Sequence, residues 1–125
     1  MDLPAPGART QRWTISANVC DPVSRRIRPA TVTVSNGRIA NLAWDSVEHG
    51  SWIVPGLVDA HVHVESSLLP PGEFARLAVA HGTVATVSDP HEIGNVLGVP
   101  GVAWMLDEGR RSPFKFCFGA PSCVP

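Results

Sequence analysis

Three groups of ligand-type side chains stand out in this chain: His61-Val62-His63, Glu65 just beyond it, and Asp89-Pro90-His91-Glu92. On an extended strand, residues two apart point the same way, ~6.5–7 Å apart along the backbone at ~3.3 Å per residue. His61 and His63 so placed can converge on one divalent cation, because neutral imidazole is a common metal ligand. Asp59 shares that face by the same period. Two histidines do not complete a catalytic centre, which usually takes three protein ligands or more, so the remainder must come from elsewhere. Glu65 can orient a ligand or touch substrate; a loop carboxylate facing water is an equally good reading. Asp89 can bond a substrate N–H or relay a proton, or it can cap the next helix from an Asp-Pro turn. His91 and Glu92 complete a compact cluster beside it.

Other catalytic patterns fail on inspection. His91-Glu92-Ile93-Gly94-Asn95 begins like the zinc-protease HExxH but has Asn95 where the second histidine belongs. His63-Val64-Glu65 matches the HxE of a cytidine-deaminase zinc site, yet Pro121-Ser122-Cys123-Val124 does not supply the P-C-x-x-C that must follow. No GxSxG nucleophile elbow is present. His49 and the four tryptophans read as surface or packing residues.

The elements that must position these groups follow from hydrophobic pattern and turn residues. Residues 1–12 read as a loose leader. Residues 13–19 alternate as a strand, Asp21-Pro22 turns the chain, residues 30–34 form a β-branched strand, and Ser35-Asn36-Gly37-Arg38 is a hairpin turn before a return over 39–44. Residues 13–54 thus read as a small antiparallel β unit that needs a partner for its hydrophobic face. From 55 onward the pattern changes. Leu57, Val58, Val62 and Val64 make the apolar run of a buried parallel strand, with the histidines at its C-terminal end, where barrel enzymes place their chemistry. A helix from about Glu73 to His81 follows, with Phe74, Leu77, Ala78 and His81 on one face and Gly82 as its stop. A strand over 83–88, a helix around 102–110 and a strand over 114–118 complete a β-α-β-α-β order. Such repeats build a doubly wound sheet or a (β/α)8 barrel, and no GxGxxG or P-loop glycines favour the nucleotide-binding version.

Composition sets outer bounds. Hydrophobic residues make up 44% and charged residues 17%, as in a core-forming protein. A formal net charge of −1 leaves no electrostatic footprint for nucleic acid or an anionic membrane. Arg25, Arg26 and Arg28, the densest basic group, read as a solvated turn. Three cysteines without a CxxC pair point to a reducing compartment. With no signal-peptide pattern and no stretch of ~18 uncharged apolar residues, a cytoplasmic protein is expected.

The stretch Val54-Pro55-Gly56-Leu57-Val58-Asp59-Ala60-His61-Val62-His63 resembles the first barrel strand of the amidohydrolase superfamily, with its P-G-[LF]-[IV]-D-x-H-x-H pattern. Glu65-Ser66-Ser67, Glu73-Phe74-Ala75-Arg76, His81-Gly82-Thr83, Ser88-Asp89-Pro90-His91-Glu92-Ile93, Asn95-Val96-Leu97-Gly98 and Pro121-Ser122-Cys123-Val124-Pro125 are similar to the adenine deaminase family within it. The resemblance implies an α/β chain: a β-sandwich segment over 13–54, then the first, incomplete β-α-β-α-β part of a metal-dependent (β/α)8 barrel over 55–125. It implies His61 and His63 as metal ligands, Asp89 as a catalytic acidic residue near a purine, and Glu65, His91 and Glu92 as residues that touch substrate or orient the ligands. It further implies a binuclear centre of manganese or iron in the complete enzyme, adenine as substrate, no nucleic-acid or membrane partner, and a homo-oligomer. The reaction would be attack of metal-activated hydroxide on C6 of adenine, giving hypoxanthine and ammonia. Gly94 departs from the family, where alanine is expected.

A barrel of this kind takes ~250 residues, whereas this sequence of 125 residues stops near the end of the third barrel strand. The remaining ligands and the acid/base aspartate are expected on later strands, and the chain alone is expected to be inactive. Two alternatives stand beside this reading: a cyclic amidohydrolase acting on imides or hydantoins, and a truncated product without catalysis.

Overall fold

The structure is a computed structural model that describes residues 11–123, so most of the expected leader over 1–12 lies outside the described residues. Two compact units divide between Pro55 and Gly56.

The first unit is one four-stranded sheet of β1 (Arg12–Asp21), β2 (Arg26–Ser35), β3 (Arg38–Trp44) and β4 (Trp52–Ile53), in the order β3-β2-β1-β4. The β1–β2 turn is shaped by Asp21, whose carboxylate accepts the Val23 N–H at 2.9 Å and the Ser24 hydroxyl at 2.6 Å. Asn36 and Gly37, both at positive φ (51° and 72°), make the tight β2–β3 hairpin that Asn-Gly predicts. The three long strands are antiparallel, as expected, but β4 runs parallel to β1. Buried Asn18 is the cause: its Nδ2–H donates to the His49 carbonyl at 2.6 Å, and its Oδ1 accepts the His49 N–H at 3.2 Å. That clasp returns the chain along β1 without a hairpin. Ala17, Ala30 and Val32 form a thin buried row, and the second layer of the expected sandwich is not among the described residues. Arg28 is no freely solvated member of a basic turn, since its guanidinium lies 3.6 Å from the centre of a Trp44 ring.

The second unit is a parallel sheet of β5 (Leu57–Val62), β6 (Thr83–Ser88) and β7 (Lys115–Phe118), in the order β5-β6-β7. A 3₁₀ turn (Val64–Ser67) and α1 (Pro71–Ala80) join the first pair, and α2 (His91–Arg111) joins the second. Successive strands are neighbours, the order generated by repeated βα units. Val64, Ala75, Ala85, Met105 and Phe114 form the buried core. Gly56 is required by close approach: a Cβ there would stand 2.5 Å from both methyl carbons of Val84.

Three expectations shift in this unit. Leu57 and Val58 are 58% and 61% exposed instead of buried, because among the described residues β5 is an edge strand with one neighbour. The inner stripe of α1 is Pro71 and Ala75, with Phe74 and Ala78 half-buried and Leu77 and His81 exposed. Phe74 sets that rotation by meeting Phe114 and Phe116, with ring centres 6.5 and 6.3 Å away. Finally, α2 begins at His91, well before the expected helix at 102. It consists of two helical segments broken at Gly98 (φ 63°, ψ −153°), with Pro100 just beyond. The break interrupts the periodicity that would have revealed the first segment. No described helix is long and apolar enough to cross a membrane.

Candidate metal centre

The site residues gather at the C-terminal ends of β5 and β6. His61 lies within β5 and His63 just past it in extended conformation, so the two-residue period carries both rings to one side. Their Nε2 atoms are 3.2 Å apart, and the rings meet edge-to-face with centres 4.9 Å apart. The other nitrogen of His63, Nδ1, lies 2.9 Å from the backbone carbonyl of Asp89. A carbonyl only accepts, so Nδ1 carries the hydrogen. In the neutral ring, Nε2 is then a bare lone pair facing His61. At a metal–nitrogen distance of ~2.1 Å, the 3.2 Å spacing corresponds to an angle of about 100° at a shared cation, within the range of tetrahedral or octahedral coordination. The pair therefore fits a divalent ion.

The carboxylates are fastened from below. Asp59 accepts the His61 backbone N–H at 3.1 Å, which turns its side chain back onto its own strand. Glu65 is half-buried; one oxygen accepts the Ile93 N–H at 3.4 Å, and the other is buried without a partner among the described residues. It is thus aimed at the start of α2 and not at water. Glu92 accepts the Ser66 hydroxyl at 2.6 Å. His91 sits against His63, ring centres 4.7 Å apart, and its Nδ1 is 3.2 Å from the Asp89 carboxylate.

Asp89 caps no helix N–H through its side chain; α2 has no side-chain cap. Its carboxylate instead takes the Ser122 hydroxyl at 2.5 Å and the Ser122 N–H at 3.4 Å. The Ser122 hydroxyl is the main reason the Asp89 carboxyl is held below the ordinary aspartate value; His91 and the Ser122 N–H add to this, and partial burial opposes it. Asp89 is accordingly an anion and an acceptor at neutral pH.

The structure therefore brings His61, His63, Glu65, Asp89, His91 and Glu92 into one neighbourhood. It adds supports with no assigned role in the sequence reading. Ser66 and Ser122 anchor the two carboxylates, and Asn95 donates to the Cys123 carbonyl at 2.9 Å, tying the 122–123 segment to α2. Ser66 adjoins Glu65 in the sequence. Ser122 lies 33 residues from Asp89, in a segment that carried the family resemblance but no role.

Histidines and carboxylates gathered at the C-terminal ends of parallel β/α strands stand where barrel enzymes place their chemistry, and sequence comparison gives the family. The profile of the amidohydrolase family matches residues 52–125, and the chain belongs to that family. Within it, the chain is similar to adenine deaminases. It is 59% identical to that of Sulfurovum sp. (strain NBC37-1) over 111 residues, which cover 89% of this chain and 21% of the relative. It is 58% identical to that of Salinibacter ruber over 113 residues (90% and 21%), and 55% identical to that of Methanosarcina acetivorans over 107 residues (86% and 19%). The chain thus spans about one fifth of the length of these relatives.

Proposed function

We propose that this chain supplies the N-terminal part of a metal-dependent adenine deaminase, with residues 13–54 as its share of a β-sandwich and 55–125 as the first strands of a (β/α)8 barrel. The reaction is adenine plus water to hypoxanthine plus ammonia: oxygen bonds to C6 and the C6–amino bond breaks. The observation that carries the reading is the His61–His63 pair, whose Nε2 atoms lie 3.2 Å apart with the tautomer of His63 fixed by Asp89.

His61 and His63 hold a divalent ion, manganese or iron, as part of a binuclear centre completed by residues beyond this chain. Such a centre, when bound, lowers the pKa of water and stabilises developing negative charge. Asp89, whose carboxyl the Ser122 hydroxyl holds below the ordinary aspartate value, accepts a hydrogen bond from a purine N–H or takes a proton at one carboxylate oxygen. Glu65, in the 3₁₀ turn and facing the start of α2, contributes a half-buried acceptor. Alone, the chain lacks the remaining ligands and acid/base, and its turnover is negligible.

The test is ammonia release from adenine with added Mn²⁺, comparing the chain with a polypeptide continued to the length of the relatives. Activity is expected only in the continued form, and His61→Ala or His63→Ala should abolish it. Hydrolysis of a hydantoin or cyclic imide in place of adenine would overturn the substrate assignment, and full activity in both histidine variants would overturn the metal role.

A further inference from the structure

His91 and Glu92 stand at the start of α2, on the opposite side of the Asp89-Pro90 corner from β6. Each offers a donor atom that, with one from His63, forms a trio lying within 4.8 Å of one another, all three residues being half-buried. Donors around one cation at ~2.1 Å stand at most ~4.2 Å apart, so the trio closes on an ion through side-chain shifts of less than an ångström. His61 stands outside this trio.

The trio is also held as ligands are held. Histidines on a metal commonly give their other ring nitrogen to a carbonyl or carboxylate, which fixes ring and tautomer. Here His63 Nδ1 does so to the Asp89 carbonyl at 2.9 Å, and His91 Nδ1 lies 3.2 Å from the Asp89 carboxylate, within ion-pair distance. The Nε2 atom of His63 is thereby left as a lone pair in the neutral ring. Glu92 is steadied through one oxygen by the Ser66 hydroxyl at 2.6 Å, leaving the other free. Two imidazoles and one carboxylate suit a first-row transition ion and are poor for calcium or magnesium.

We propose that His91 and Glu92 are cation ligands, which with His63 form a tridentate site for a divalent transition-metal ion contained entirely within residues 63–92. Asp89 acts there as a positioning residue for both rings. The inference rests on the metal-hydrolase reading of His63 and adds that the first helical turn after β6 supplies metal donors. His61 is a further donor beside His63 and is not required for this site.

The test is a Co²⁺ titration of the chain, followed by visible absorption and by competition with Zn²⁺. Far-UV circular dichroism would check that each variant keeps the parent fold. One equivalent of Co²⁺ is expected to bind. His91→Ala and Glu92→Gln should each weaken it tenfold or more, whereas His61→Ala should weaken it less than either. Glu92→Gln keeps the size of the side chain and an acceptor for Ser66, so it guards against a loss caused by misfolding. If both variants bind as the parent does while His61→Ala loses the ion, the trio is wrong and the reading of the His61–His63 pair survives. If the parent binds no Co²⁺, the trio is wrong, and the His61–His63 pair is then decided by the loss or retention of deaminase activity in the continued polypeptide carrying His61→Ala or His63→Ala.

Discussion

The ring of His63, at the end of β5, is held by the backbone carbonyl of Asp89, at the end of β6, across 2.9 Å. One strand thereby sets the tautomer of a residue on its neighbour, and the free nitrogen is directed by the sheet instead of by the histidine's own loop. Asparagine places an amide N–H close to the position of Nδ1, whereas glutamine reaches towards Nε2. His63→Asn is expected to keep the bond to Asp89, with a stability change below about 1 kcal/mol, and to lose divalent-cation affinity by well over ~10-fold. His63→Gln should lose stability as well. Thermal unfolding with and without Mn²⁺ separates the two, and equal behaviour of both variants would argue against the bond as the orienting contact.

Gly98 divides α2 at φ 63°, ψ −153°, a conformation that side-chain-bearing residues essentially do not adopt. A Cβ there would meet only the Pro100 Cδ, at 3.9 Å, so the obstacle is conformational and not steric. Gly98→Ala should destabilise the second unit by about 1–3 kcal/mol, read as a lower midpoint in urea with an unchanged slope. Retention of the parent midpoint would mean that the two helical segments need no break between them.

That the six candidate residues lie together was legible because chemistry-bearing side chains fell at the ends of successive predicted strands; their roles are part of the proposal. Helix α2 was only half legible: Gly98 and Pro100 broke its period, so the helix was expected around 102–110 although it opens at His91. The parallel seat of β4 depends on one buried asparagine gripping His49, 31 residues away, and no local pattern encodes such a contact. Burial of Leu57 and Val58 was inferred from composition, but exposure depends on what lies against a strand, and an edge position leaves them open.

A pH dependence is expected in the first unit. The Asp21 carboxyl is held below its ordinary value, mainly by the Ser24 hydroxyl and then by the N–H groups of Val23 and Ser24; burial opposes this slightly, and Arg28 adds a little. Because the folded value is depressed, the stabilisation is fully present above the ordinary aspartate value and is lost as pH falls through the folded one. Ser24→Ala should move the Asp21 titration upward, visible in the carboxyl ¹³C shift. Its stability deficit against the parent should shrink towards zero in acid. A titration unmoved by the substitution would assign the depression to the two backbone N–H groups alone.

Ser88 connects the ends of all three strands of the parallel sheet. Its hydroxyl donates to the Val62 carbonyl at 2.9 Å, between the two histidines, and its own carbonyl accepts the Gly119 N–H at 2.8 Å, just past β7. The side chain is 2% exposed, so the hydroxyl is a built-in contact and not a surface one. Ser88→Ala removes the tie to Val62 while leaving the Gly119 bond, which is made by backbone. The expected cost in stability is about 1 kcal/mol. The more telling effect should fall on the histidine pair, because the Val62 peptide fixes the spacing of the residues on either side. A loss of divalent-cation affinity of about tenfold is expected, the scale of removing a contact that supports metal ligands. Ser88→Thr, which retains the hydroxyl, should recover part of it. Cation affinity unchanged in Ser88→Ala, measured by the same titration, would show that β5 holds His61 and His63 in register without help from β6.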